Sequence, residues 1–243
     1  MKIIKVASYE EMSAHAGQII INKVKDHPSS ILGLATGGTP LGTYRRIIED
    51  HERNHTSYRD VSTINLDEYV GLNEDHPQSY HMYMKEHLFS QIDVQPQHTY
   101  LPDGTAKDLS KECQHYDQLI EKLGGIDLQL LGIGQNGHIG FNEPGTSFES
   151  RTHVIDLMES TRKANARYFS NVNEVPHHAI TMGIRSIVES KEILLLASGK
   201  KKSSALSRLL EGNVTEEFPA SILTRHPQVT LIADEAALSK SQI

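Results

Sequence analysis

The chain of 243 residues carries 24 basic against 31 acidic side chains, a formal net charge of −7, and one cysteine, Cys113. This length suffices for one α/β domain that buries roughly 70 to 75% of its unfolded surface without disulfide bonds. The acidic balance and the lack of tryptophan argue against a nucleic-acid footprint, and no apolar run is long enough to span a bilayer. We therefore expect a soluble cytoplasmic protein with neither nucleic acid nor membrane as partner.

The first elements alternate helix with buried strand. Ser8 starts a capping box that opens a helix ending near Asp26. The apolar run 31–35 predicts a strand closed by a glycine turn. Thr39 then caps a helix whose first residue is Pro40.

The same alternation continues through the middle of the chain and to its end. Strands are expected at 61–66, 126–133, 193–197 and 229–232, and helices at 79–89, 109–123, 160–168, 178–188 and 201–210. Alternating buried strands and amphipathic helices specify an α/β fold: a single-domain, doubly wound, mostly parallel sheet with helices on both faces, Rossmann-like, over residues 1–243. The polar stretch beyond Glu143 is too long for a plain connection, and we expect part of it, within 148–188, to form a lid.

Residues 132–144, GIGQNGHIGFNEP, are the most informative segment because they directly follow a buried strand. Four glycines indicate a backbone that turns tightly or approaches a ligand. His138 and Glu143 are the only titratable side chains in the segment. They lie beside two carboxamides, Asn136 and Asn142, that can orient them without adding charge. The pattern indicates acid/base chemistry.

Ligands of open parallel sheets bind outside the carboxyl ends of the strands, where the segments after the predicted strands should meet. One of these segments is the glycine turn Thr36, Gly37, Gly38, Thr39, which leads into a helix N-terminus and so favours a phosphate. The turn matches neither the P-loop nor the GxGxxG pattern. A plain tight turn between strand and helix remains the alternative.

Asp67 and Glu68 follow the next strand, and side-chain alternation should point them in opposite directions. A carboxylate at this edge suits removal of a proton from a carbon beside a carbonyl. Capping or pairing in the structure is the alternative for Asp67, and a bond within the glycine-rich turn is the alternative for His138. No HExxH motif or cysteine pair appears, so we expect no metal.

Five segments in family order together resemble the glucosamine-6-phosphate deaminases across nearly the whole chain: LGLATGGTPLGTYR (32–45), NLDEYVGL (65–72), HPQSYHMYM (76–84), GIGQNGHIGFNEPGTSFESRTH (132–153) and TRKANARYF (161–169). The resemblance implies hydrolysis of glucosamine 6-phosphate to fructose 6-phosphate and ammonia, with no cofactor and no metal. It implies that His138, supported by Glu143, opens the sugar ring. Asp67 then matches the base that moves the C2 proton to C1.

The resemblance further implies that the phosphate is held by the turn 36–39 with Arg167 and Lys202, and it places Gly137 at the substrate. Because these groups would neutralise the phosphate locally, a protein with a net negative charge can still bind a dianion.

Two departures from the family pattern carry further expectations. Asn136 replaces an aspartate found in many members, so ring opening should depend more on Glu143. Allosteric members carry basic residues at the positions of His153 and Ile155. We therefore expect a non-allosteric enzyme that is a monomer or a low-order homo-oligomer. The alternatives are a 6-phosphogluconolactonase-like hydrolase, disfavoured by FNEP, and a non-catalytic sugar-phosphate sensor, for which no DNA-binding module is visible.

Overall fold

The computed structural model of the protein describes residues 1–166, 169 and 171–241. Its strands are β1 (Lys2–Val6), β2 (Ile31–Leu34), β3 (Ser62–Asn65), β4 (Asp67–Tyr69), β5 (Thr99–Tyr100), β6 (Leu128–Gly132), β7 (His153–Asp156), β8 (His178–Thr181), β9 (Glu192–Ala197) and β10 (Val229–Asp234). Its helices are α1 (Tyr9–Asp26), α2 (Leu41–Asn54), α3 (Tyr80–His87), α4 (Leu109–Leu123), α5 (Glu159–Asn165), α6 (Ile184–Val188), α7 (Ser203–Leu210) and α8 (Glu235–Leu238).

A seven-stranded sheet, parallel at every pairing, forms the centre in the order β1, β10, β9, β6, β2, β3, β5. Apolar residues of α1, α2 and α3 pack on one face, and those of α4, α6, α7 and α8 pack on the other. Because both faces are covered, β2 and most of β9 are buried without alternation. The predicted doubly wound fold is confirmed.

The order of the strands places the candidate site. From β2 the chain moves outward to β3 and β5, and α4 then returns it to β6 on the other side of β2. This reversal is a topological switch point, where the loops after two neighbouring strands separate and leave a crevice. The glycine turn after β2 and the glycine-rich segment after β6 therefore border the same crevice.

A second sheet, antiparallel in the order β4, β8, β7, lies at the edge of this crevice. It contradicts the single helix expected over 178–188, because β8 ends at Thr181 and α6 begins only at Ile184. The β-branched residues of β8 suit a pleated strand. Gly183 then allows a close turn, since a Cβ there would lie 2.2 Å from the carbonyl oxygen of Ser150.

Two of the predicted helix ends are confirmed, and one is wrong. Ser8 caps α1 by accepting the Glu11 N–H at 3.2 Å, as predicted. Gly124 ends α4 with a φ of 94°, also at the predicted place. The cap assigned to Thr39 is wrong, because Pro40 occupies the N-cap position of α2 and no side chain in the described part of the protein caps that end.

Candidate active site

Asp67 begins β4 at the carboxyl edge of the main sheet, and it is only 6% exposed. No described residue donates a hydrogen bond to its carboxylate. Burial, with a smaller contribution from the charge of Glu68, raises the pKa of Asp67 to about 8. An unpaired carboxylate with a raised pKa is suited to accept a proton near neutral pH.

Glu68 has the opposite environment. Its Oε1 accepts the backbone N–H groups of Tyr69 at 2.7 Å and Tyr80 at 3.0 Å. Its Oε2 accepts the backbone N–H of His81 at 3.0 Å and contacts Nδ1 of the same residue at 2.8 Å. Glu68 therefore satisfies the N-terminus of α3, while Asp67 faces elsewhere, as the alternation of side chains predicted.

The glycine-rich segment after β6 approaches Asp67 at Gly140. Gly140 has a φ of 58°, and a Cβ on it would lie 3.7 Å from Asp67 Oδ2 and 3.0 Å from Thr181 Oγ1. The Thr181 hydroxyl also accepts the Phe141 N–H at 3.1 Å, which holds the segment against β8. The fold thus brings together two regions that are more than 70 positions apart in the chain.

The Glu143 carboxylate, at the other end of this segment, has three side-chain partners. Asn136 Nδ2 donates to Glu143 Oε2 at 2.6 Å, and the Thr161 hydroxyl of α5 donates to Oε1 at 2.7 Å. His138 Nδ1 lies 3.4 Å from Oε2, within ion-pair distance but without the alignment of a hydrogen bond. Asn136 bonds to the backbone of His138 and not to its imidazole ring: the side-chain Oδ1 of Asn136 accepts the backbone N–H of His138 at 3.2 Å.

The charge of Glu143 follows from these partners. Burial acts to raise its pKa, but the interactions with His138, Thr161 and Asn136 outweigh burial and lower it. Glu143 is therefore ionised near neutral pH and can stabilise a positive charge on His138. Thr161 was missed by the sequence analysis, although it begins the TRKANARYF segment, because nothing in the chain marks it as the partner of a distant carboxylate.

The glycine turn 36–39 lies open between β2 and α2, with Gly38 exposed and Gly37 at a φ of 85°. Across the crevice, Lys202 Nζ donates to the carbonyl oxygen of Ile133 at 2.6 Å, at the end of β6. The structure therefore places Lys202 at the same sheet edge as the turn. Arg167 lies outside the described residues, and its predicted contact with phosphate stays a prediction.

Gly137 is held by packing. Its φ is 89°, a Cβ on it would lie 2.1 Å from the Phe218 ring, and its carbonyl oxygen accepts the Ala220 N–H at 2.8 Å. These contacts require glycine whether or not substrate touches it, and its role at the substrate stays a prediction.

Among the described residues, no cluster of histidine, cysteine, aspartate and glutamate could hold a metal ion. Within the same ranges, no helix is long and apolar enough to cross a membrane.

His153 and Ile155 are the two positions at which allosteric members carry cations. His153 Nδ1 contacts the carbonyl oxygen of Arg151 at 2.8 Å, and Ile155 packs beside the cluster of Tyr69 and Phe141.

Residues 5–232 match the family described as glucosamine-6-phosphate isomerases/6-phosphogluconolactonase. The chain belongs to this family. It is 60% identical over 239 residues to the glucosamine-6-phosphate deaminase of Geobacillus sp. (strain WCH70), covering 98% of this chain and 95% of that one. It is 54% identical to glucosamine-6-phosphate deaminase 1 of Bacillus subtilis (strain 168), covering 98% and 99%.

Solved structures agree with this membership. A monomeric glucosamine-6-phosphate deaminase superimposes with a TM-score of 0.97 at 53% identity, covering 99% of this chain and 100% of that one. The 6-phosphogluconolactonase of Trypanosoma cruzi superimposes with a TM-score of 0.81 at 21% identity, covering 100% and 97%. At that identity the second likeness shows the fold alone, whereas the first is a likeness in both fold and sequence.

Proposed function

We propose that the protein is a glucosamine-6-phosphate deaminase, which converts glucosamine 6-phosphate and water to fructose 6-phosphate and ammonia. The observation that carries the proposal is the pairing of two different carboxylates at one sheet edge. Asp67 accepts no hydrogen bond from the residues that the structure describes and has a raised pKa, and Glu143 is ionised beside His138. One is suited to take a proton from carbon, and the other to support an imidazole in ring opening. Deaminases at 54 to 60% identity over nearly the whole chain support the same assignment.

Ring opening comes first in the proposed sequence. His138 removes the proton of the C1 hydroxyl and returns a proton to the ring oxygen as the bond between C1 and that oxygen breaks. Glu143, 3.4 Å from His138 Nδ1, stabilises the imidazolium formed in between. Asn136 and Thr161 each hold one oxygen of Glu143, so the carboxylate is already oriented before substrate arrives.

Isomerisation and loss of ammonia follow on the open chain. Asp67 takes the C2 proton, the electrons of the C2–H bond form the C1–C2 double bond of an enolamine, and the C1 carbonyl oxygen takes up a proton from solvent. Asp67 then returns its proton to C1 while the nitrogen lone pair forms the C2–N double bond, and the nitrogen releases one proton to solvent. Water then adds to the resulting C2 imine, and ammonia leaves to give the ketone. Each step is a proton transfer, an addition or an elimination, so the reaction needs no redox cofactor. The glycine turn 36–39 and Lys202, with Arg167, hold the phosphate away from the reacting carbons.

A lactonase needs no base to remove a proton from C2, so the presence of Asp67 favours the deaminase activity over the lactonase activity. A 6-phosphogluconolactonase hydrolyses an ester, and a buried carboxylate free of hydrogen-bond donors would have no task there. A sensor would likewise need the phosphate turn but not the unpaired carboxylate. We therefore favour the deaminase over both alternatives, and we propose cytoplasmic amino-sugar catabolism as its setting.

The direct test uses purified protein in chelator with glucosamine 6-phosphate, 6-phosphogluconolactone and N-acetylglucosamine 6-phosphate as separate substrates. We expect ammonia and fructose 6-phosphate in equal amounts from the first substrate only. Enzymatic assays for each product measure the ratio. Hydrolysis of the lactone alone would assign the chain to the rival activity, and tight binding without turnover would indicate a sensor.

We also propose a monomer without allosteric activation. His153 and Ile155 stand where allosteric members carry cations; the Ile155 side chain has no charge to offer an anionic effector, and it packs against the apolar cluster of Tyr69 and Phe141. The rate should rise hyperbolically with substrate, and N-acetylglucosamine 6-phosphate should not increase it at low substrate concentration. Light scattering should give the mass of one chain. A sigmoidal curve that this effector makes hyperbolic would contradict the proposal.

A further inference from the structure

Two carbonyl oxygens of the glycine turn after β2 are bonded to tyrosine hydroxyls. Tyr83 donates to Gly37 O at 2.6 Å, and Tyr9 donates to Gly38 O at 3.1 Å. The Tyr9 oxygen also accepts the Gly42 N–H at 2.8 Å. Since a phenol has one proton, this second bond directs that proton toward Gly38.

A third tyrosine holds the start of the turn. Tyr44 is fully buried and donates to Ala35 O at 2.5 Å. The three hydroxyls come from three helices, since Tyr9 begins α1, Tyr44 lies in α2 and Tyr83 lies in α3. Carbonyl oxygens on both sides of Thr36 are thus fixed by groups that lie far apart in the sequence.

The orientation of a carbonyl determines that of the next N–H. In a trans peptide unit the two point in opposite directions. The tyrosines therefore turn the N–H groups of Thr36, Gly38 and Thr39 away from the helices that carry the hydroxyls. Within the described residues these three N–H groups have no hydrogen-bond partner, and the turn is partly open to solvent. Three such unsatisfied donors before a helix N-terminus suit an anion.

We propose that Tyr9, Tyr44 and Tyr83 are positioning residues that lock the glycine turn in the form that binds the substrate's phosphate. They do not touch the substrate. They hold the carbonyl oxygens, which would repel an anion, on the far side of the turn. The inference rests on the proposed function in so far as the anion is a sugar phosphate. Because phosphate is remote from the reacting carbons, the locking contributes to affinity more than to the rate of proton transfer.

The test is a set of phenylalanine variants that each remove one oxygen: Tyr83→Phe, Tyr9→Phe and the double variant. Calorimetric titration with inorganic phosphate measures the turn directly, and steady-state kinetics gives KM and kcat. We expect each single change to weaken phosphate binding about 3- to 10-fold, as for loss of one hydrogen bond, and to raise KM in parallel while kcat stays near the parent value. The double variant should combine the two losses.

Tyr58→Phe is the matched control, because the Tyr58 hydroxyl is buried yet makes no hydrogen bond within the described part of the chain. It should leave phosphate binding unchanged. Unchanged binding in the double variant, or an equal loss in Tyr58→Phe, would overturn the inference, as would a parent protein that does not bind phosphate. The titration does not depend on turnover. A parent that binds phosphate through these tyrosines but releases no ammonia would therefore support the inference and reject the proposed function.

Discussion

Replacement of Asp67 by asparagine should lower kcat by about 10² to 10⁴-fold while the affinity for fructose 6-phosphate stays near that of the parent. The amide keeps the shape of the side chain but cannot accept the C2 proton. Because no described residue donates a hydrogen bond to the Asp67 carboxylate, the change breaks no such contact in the structure. Initial rates of fructose 6-phosphate formation, with calorimetric binding of the same sugar, measure the two effects separately.

Asp26→Asn is the matched control, since it makes the same chemical change at the exposed last residue of α1. It should leave both quantities unchanged. Parent-like turnover in Asp67→Asn would contradict the assignment of Asp67 as the base. A parallel loss of binding and rate would instead indicate that Asp67 shapes the crevice.

The raised pKa of Asp67 sets a pH dependence with a definite sign. A base must be deprotonated, so kcat/KM should rise with pH through about 8 and level off above it. Stability should change in the opposite sense. The pKa of an aspartate in the unfolded chain is 3.8, whereas that of Asp67 in the folded protein is about 8. Between these two pH values the folded protein holds the proton and the unfolded chain does not. The contribution of Asp67 to the free energy of unfolding therefore falls as pH rises through this window. Asp67→Asn should lose this fall, which urea unfolding at several pH values would measure.

The main sheet could be predicted because its inner strands are buried on both faces and read as apolar runs. The segments missed lack that signal. Among the described strands, β1 (KIIKV) pairs with β10 alone and is largely exposed, so its mixed composition resembles a surface segment. β5 has two residues, and β4 follows β3 after one residue, so neither forms a separate run. The segment that forms β8 is predicted as helix, because its pairing with β4 and β7 depends on tertiary contacts that the local sequence does not show.

The candidate site could be predicted where a residue type is unusual for its position. Glycines at a strand end pointed to His138 and Glu143, and acidic residues at the next strand end pointed to Asp67. The sequence could not show which of the two adjacent carboxylates is free, because that depends on the N–H groups of α3 around Glu68. Thr161 was missed for a similar reason, since its bond to Glu143 depends on how α5 packs.

Replacement of Glu143 by glutamine should slow ring opening about 10²-fold and make it the slow step. The amide removes the charge that stabilises the His138 imidazolium. It also offers one acceptor oxygen where the carboxylate offers two, so either Asn136 or Thr161 loses its acceptor. The measurement is kcat/KM for glucosamine 6-phosphate carrying hydrogen or deuterium at C2.

The isotope effect separates this role from that of Asp67. When ring opening limits the rate, breaking of the C2 bond is no longer expressed, so the ratio of the two kcat/KM values should fall toward one in Glu143→Gln. Glu121→Gln, an exposed change on α4 that touches no site residue, should keep the parent's rate and ratio. A slow Glu143→Gln with an isotope effect larger than the parent's would mean that Glu143 acts in proton transfer at C2, and parent-like turnover would mean that His138 needs no carboxylate partner. Either result would move the chemistry of ring opening away from the pair that the structure holds together.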